Sequence, residues 1–134
     1  MVTDEKSLQL VIQLNRLTSL GEIKWAIHQA PASITAGTDC VVPLYLETNH
    51  KGTRYGIYQI RSRAYDGERD TLYWNESVCL AVLDQDGRVL WDVSGVAPLW
   101  DLLSTVRGQI VNIDGLLNDL GANPGVIVKR RRFI

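Results

Sequence analysis

Little in this chain marks it for chemistry. Its 134 residues include 2 cysteines and 2 histidines, too few for a thiolate metal cage and a poor basis for a disulfide framework. Charge is nearly balanced, 14 Lys and Arg against 15 Asp and Glu for a net of −1, so no global field draws the chain to nucleic acid or to an anionic membrane. Apolar runs are short, and none reaches the about 20 residues needed to cross a bilayer as a helix. The opening Met1-Val2-Thr3-Asp4-Glu5-Lys6 lacks the basic start and apolar stretch of a secretory signal. These absences point to the cytoplasm, with Cys40 and Cys79 reduced. They also point away from a membrane partner.

Chemical signatures are missing as well. No glycine-rich phosphate loop, His-Glu-x-x-His helix or EF-hand loop occurs. Asp84-Gln85-Asp86-Gly87 starts like a calcium loop, but the later spacing fails, and a turn is the expected reading. His28 and His50 fall on a strand end and a loop, with no orienting carboxylate or nucleophile indicated nearby. No catalytic residue, metal site or cofactor is expected.

What is present suits one ordinary domain: 46% of residues are hydrophobic and 22% charged, enough to bury a core without staples. The dominant pattern is the stretch Ala97–Gly121, where Leu99, Leu103, Val106, Ile110, Ile113, Leu117 and Leu120 recur at alternating spacings of four and three. That spacing predicts one long helix with a single apolar stripe, introduced by Pro98 and stopped by Gly121 and Pro124. A first helix is expected after a Thr3 or Asp4 cap, with Leu8, Val11, Ile12 and Asn15 in one row, Leu10, Leu14 and Leu17 in the next, and Gly21 as its C-terminal cap.

Between the helices the pattern alternates. A short strand over 23–29 puts Ile23, Trp25 and Ile27 on one face, and 30–39 reads as a loop. Strands over 40–48 and 53–64 flank Asn49-His50-Lys51-Gly52, which places Leu44 opposite Ile57, Leu46 opposite Tyr55 and Glu47 opposite Arg54. Pro43 marks an edge or a bulge. After the polar turn Asp66–Asp70 comes the longest strand, 72–83, whose Leu72, Trp74, Val78, Leu80 and Val82 share a face interrupted by Glu76. Asp86-Gly87 predicts a two-residue type I′ turn that sets Val82 opposite Trp91 and Leu80 opposite Val93. The fold expected is α+β: an antiparallel meander sheet of four to five strands, with an N-terminal and a long C-terminal helix packed on one face. Residues 1–123 form the domain, and 124–134 are a short strand or a basic tail.

Three sets of residues are candidates for function. Asp101, Gly108, Gly115 and Ala122 stand seven apart on the helix side opposite the apolar stripe, and interior glycines are costly. A helix broken near Gly108 accounts for them; so does a partner face comprising Ser104, Gly108, Asn112 and Gly115. Arg54, Arg61, Arg63 and Tyr65 on the hairpin, with Arg130, Arg131 and Arg132 at the end, form a basic and aromatic set of the kind that holds single-stranded nucleic acid. Alternation, however, sends Arg54 to the opposite face from Arg61, Arg63 and Tyr65. Glu76 is either a strand-end carboxylate or an acid lining a pocket. Cys40 and Cys79 lack basic neighbours and read as inert thiols.

Leu14-Asn15-Arg16-Leu17-Thr18, Gly21-Glu22-Ile23-Lys24-Trp25 and Leu102-Leu103-Ser104-Thr105-Val106-Arg107-Gly108-Gln109 resemble a family of small uncharacterised bacterial proteins. That family opens with a helix running into a Gly-x-Ile-x-Trp strand and closes with a Val-Arg-x-Gln helix. The resemblance implies a bacterial, cytoplasmic setting and no known activity. The functional expectation is a non-enzymatic protein-interaction module of accessory, immunity or regulatory type that also self-associates. The alternatives are nucleic-acid binding, and a small-ligand binder or enzyme with a pocket near Glu76.

Overall fold

In the computed structural model, residues 5–36 and 40–121 are described. The order is α1 (Glu5–Ser19), β1 (Ala26–Ile27), α2 (Ala32–Thr35), β2 (Val41–His50), β3 (Thr53–Asp66), β4 (Thr71–Leu83), β5 (Val89–Ser94), α3 (Ala97–Val111) and α4 (Ile113–Asp119). The strands form one antiparallel sheet in the order β1-β2-β3-β4-β5, the expected meander. Both long helices lie on one face, as the apolar stripes require. The Thr3 or Asp4 cap and the 124–134 segment, with Arg130, Arg131 and Arg132, lie outside the described residues.

A single cross-sheet row, Leu46↔Ile57↔Leu80↔Val93, forms the floor of the main core. Val11 and Leu14 of α1, and Leu99, Leu102, Leu103 and Val106 of α3, close over it with Ile23 and Trp25. The β4–β5 register is the expected one: Val82 faces Trp91 and Leu80 faces Val93.

The opposite face is not bare. Tyr45, Tyr58, Cys79, Ala81 and Leu83 form a second buried cluster, capped by Ala30 and Ile34. The stretch expected to be only a loop therefore contains the one-turn α2 and covers the back of the sheet, with Ser33 Oγ donating to the carbonyl of Gly87. Gly56 makes room there, because a Cβ would stand 2.5 Å from the Tyr45 hydroxyl.

Four local expectations need correction. The helix is not continuous: Asn112 adopts φ 57°, ends α3 and begins α4, and its side chain accepts a hydrogen bond from Gly115 N. The apolar stripe is thus cut, with Leu99, Leu103 and Val106 buried while Ile113 and Leu120 are exposed. The β2–β3 register is shifted by two residues, Leu46↔Ile57 and Glu47↔Gly56, because the turn is the tight Lys51-Gly52 pair, both at positive φ. An even shift leaves every side chain on its expected face. At the β4–β5 turn only Gly87 has positive φ, and Gly87 N bonds to Asp84 O at 3.1 Å while Asp84 N bonds to Arg88 O. That is a type I turn with a left-handed glycine rather than type I′. Finally, the first strand is only Ala26–Ile27, and Ile27 is exposed while Ile23 and Trp25 are buried. Pro43 does sit in a bulge between Val41 and Leu44.

The link between α1 and the sheet is pinned by one side chain. After a helix end in which Glu22 N reaches Leu17 O and Gly21 N reaches Thr18 O, Gln109 of α3 accepts from Trp25 N at 2.8 Å and donates to Ile23 O at 2.9 Å. Trp25 Nε1 donates to Thr18 Oγ1, which donates to Leu14 O. Thr48 Oγ1 anchors Lys24 O at 2.6 Å. Truncating Gln109 strands the Trp25 N–H and the Ile23 carbonyl in a half-buried setting. Gln109→Ala is expected to lower stability by about 1–3 kcal/mol in urea unfolding with an unchanged denaturant slope; an unaltered midpoint contradicts the clamp.

Candidate functional site

The strands differ greatly in length, and this determines what is left uncovered. β3 and β4 pair along their whole course, from Arg54↔Leu83 to Asp66↔Thr71. β2 leaves β3 after Arg61, and β5 joins β4 only from Cys79. Among the described residues, 62–66 and 71–75 therefore have only each other as strand neighbours. They form a two-stranded arm projecting from the sheet.

On the face continuous with the helix side, alternation places the rows Arg61↔Glu76, Arg63↔Trp74 and Tyr65↔Leu72. Arg61 Nε bonds Glu76 Oε2 at 2.8 Å, and Gln59 Nε2 donates to Glu76 Oε1 at 3.1 Å. Arg63 lies over Trp74, with Cζ 5.5 Å from the ring centroid. The Tyr65 hydroxyl donates to the Asp70 carboxylate, which raises the pKa of the phenol. Past the Arg61–Glu76 pair no described residue covers the apolar groups of this face, Tyr65 being 59%, Leu72 61% and Trp74 52% exposed, and Tyr73 on the reverse face is 50% exposed. Arg63, Leu72, Tyr73 and Trp74 line a shallow hollow of about 190 Å³. Large neighbouring apolar side chains left in water are the usual mark of a contact surface.

Sequence reasoning placed Leu72 and Trp74 on a face to be covered by the helices. The signal that identifies them was available in the strand lengths, because the flanking strands are too short to accompany the long hairpin to its end.

The other candidates are distributed differently. Arg54 lies on the back face, bound to Glu47 through Nε at 2.7 Å and Nη2 at 3.1 Å, and to the carbonyls of Asp84 and Gln85. Arg61, Arg63 and Tyr65 are brought together on the arm, but the two arginines are already engaged by Glu76 and Trp74. Over residues 61–76 three arginines meet four carboxylates, a net charge of −1, so the arm carries no basic excess. Glu76 is 37% exposed at its side chain, and the three principal grooves are lined without it. Also among the described residues, no three His, Cys, Asp or Glu side chains converge on a metal-sized site. Burial pushes the Cys79 thiol up, which keeps it protonated and unreactive.

Of the two glycines on the candidate partner face, Gly115 has a local cause and Gly108 has none. A Cβ on Gly115 would meet the Asn112 amide nitrogen at 2.5 Å, so this glycine accommodates the capping side chain. A Cβ on Gly108 would meet only Ile113, at an ordinary 3.9 Å. Gly108 and Asn112, with Thr18, Lys24, Thr105 and Asp114, line an open polar groove of about 660 Å³; Ser104 is exposed outside it.

No protein-family model, curated protein or solved structure matches the chain. The Gly-x-Ile-x-Trp and Val-Arg-x-Gln segments have structural roles here, Ile23 and Trp25 in the core and Gln109 as their clamp.

Two measurements follow. Gly108→Ala is expected to raise stability by about 0.5–1 kcal/mol, and Gly115→Ala to lower it by displacing the Asn112 cap, both read by thermal unfolding. The second concerns Glu47. Burial acts to raise its pKa, but the bonds from Arg54 and Tyr45 outweigh burial and hold the carboxyl below the ordinary value of 4.5. Its contribution to stability is therefore complete above that value and is lost as pH falls through the lowered folded-state pKa. Urea midpoints between about pH 6 and pH 2 are expected to fall less steeply in Glu47→Gln than in the native chain.

Proposed function

We propose that this chain is a non-enzymatic protein-interaction module and that its contact surface is the arm of residues 61–76. One observation carries the reading: Tyr65, Leu72 and Trp74 stand uncovered on one face of a fully paired hairpin and Tyr73 on the other, beyond the reach of either long helix. Aromatic side chains with an adjacent arginine supply contact area at low entropic cost and are enriched in protein interfaces. The balanced charge of the arm favours a protein over a nucleic acid as occupant. In this reading the expected self-association uses the arm rather than the glycines of α3. A cytoplasmic setting accords with Cys40 and Cys79 not being joined in a disulfide, and with the lack, among the described residues, of a helix long and apolar enough to cross a membrane.

A photoreactive amino acid at position 73, compared with one at exposed Glu22, tests the reading in cells that make the native protein. The arm position is expected to give a discrete protein adduct on irradiation, and the Glu22 position none. No adduct at 73, or equal adducts at both positions, contradicts it.

A further inference from the structure

Among the described residues, the outer edge of β4 along Thr71–Val78 has no strand opposite it, because β5 begins its pairing at Cys79. Exposed edges are normally guarded by charged side chains, proline or a bulge. The outer edge of β3 in the arm is flanked by Arg63 and Asp66, whereas Thr71-Leu72-Tyr73-Trp74-Asn75 on β4 contains no charge and no proline. Of the two edges, β4 is the one open to another strand.

We propose that a second copy of this chain adds its own β4 antiparallel to that edge, about a two-fold axis through Tyr73. The inference rests on the reading of the arm as a contact surface and specifies its occupant. A two-fold interface must be self-complementary, and this segment reads alike in both directions from Tyr73: apolar at Leu72 and Trp74, neutral polar at Thr71 and Asn75. Antiparallel pairing with Tyr73 opposite Tyr73 sets Leu72 of each copy against Trp74 of the other on the helix-side face. Thr71 then meets Asn75 on the reverse face, beside the paired tyrosines. Each is a favourable cross-strand pair. Centred one residue later, on Trp74, the same edge would set Leu72 against Glu76 and lose that match. At the ends of the pairing Glu76 is already neutralised by Arg61, and Asp70, at φ 54°, has turned out of the strand. A partner of different sequence has no need of this internal symmetry.

The contact is small, which places association in the range of weak dimers. Sedimentation velocity of the full chain from about 5 to 500 µM is expected to show monomers converting to dimers. Tyr73→Lys sets two ammonium groups face to face and is expected to stay monomeric throughout with an unchanged far-ultraviolet circular dichroism spectrum. Directly opposed strand positions lie within disulfide reach. Tyr73→Cys in a Cys40→Ser background is therefore expected to oxidise to a covalent dimer at least about tenfold faster than Asn75→Cys, whose counterpart is Thr71. A native chain that stays monomeric to the highest concentration, a Tyr73→Lys chain that still dimerises, or equal oxidation at the two positions overturns the proposal. A monomeric chain whose position 73 still forms adducts with a different protein in cells overturns the second copy alone. A silent arm overturns both readings.

Discussion

The structure depends on a mismatch of lengths. β3 has 14 residues and β4 13, which at about 3.3 Å per residue run to roughly 43–46 Å. α1 and α3 have 15 residues each, roughly 22 Å at 1.5 Å per residue. Whatever their crossing angle, helices of that length cannot roof such a hairpin. The main core therefore occupies the half where Leu46, Ile57, Leu80 and Val93 meet α1 and α3. On the back, the 30–36 segment covers Tyr45, Tyr58 and Leu83 in that same half. Both covers stop short of the same end, and the arm is the remainder.

An isolated two-stranded ribbon is marginal in water, so the arm depends on the sheet from which it grows. The Arg61–Glu76–Gln59 cluster stands where β2 departs, tying the base of the arm across its face. Further out, Arg63 over Trp74 and Tyr65 on Asp70 hold the aromatic groups without burying them. On the other side of the molecule, the Gln109 clamp and the bidentate Glu47–Arg54 pair hold the frame. Stability and display are thus assigned to opposite halves of one hairpin.

How far the fold could be read in advance varied with the physics of each element. The β4–β5 pairing was legible because two apolar alternations and a turn signal agreed on one register. The turn type was not, since Asp86-Gly87 serves a three-residue loop with a bulge as readily as a two-residue one. At Lys51-Gly52 a lysine takes up a left-handed conformation that its residue type does not advertise, and the register moved by two. The faces survived because the error was even. A helix break near Gly108 was one reading of the glycines, and the break falls one turn later at Asn112; its place was hidden because Ile113, Leu117 and Leu120 continue the period of α3, and only the Asn112–Gly115 spacing encodes the cap. For the site, Arg61, Arg63 and Tyr65 were named from composition. Leu72, Tyr73 and Trp74 were missed as a surface because alternation assigns a face and says nothing about whether another layer reaches it.

On the proposed pairing, the outer edge of β4 is covered when two copies of the chain associate. Amide hydrogen exchange of the native chain at high and low protein concentration reads this directly. Backbone amides of 71–77 that point away from β3 are expected to exchange slowly in concentrated solution and quickly on dilution, while those of Ile57 and Leu80 stay equally slow in both. Rapid exchange along 71–77 at every concentration would contradict the account.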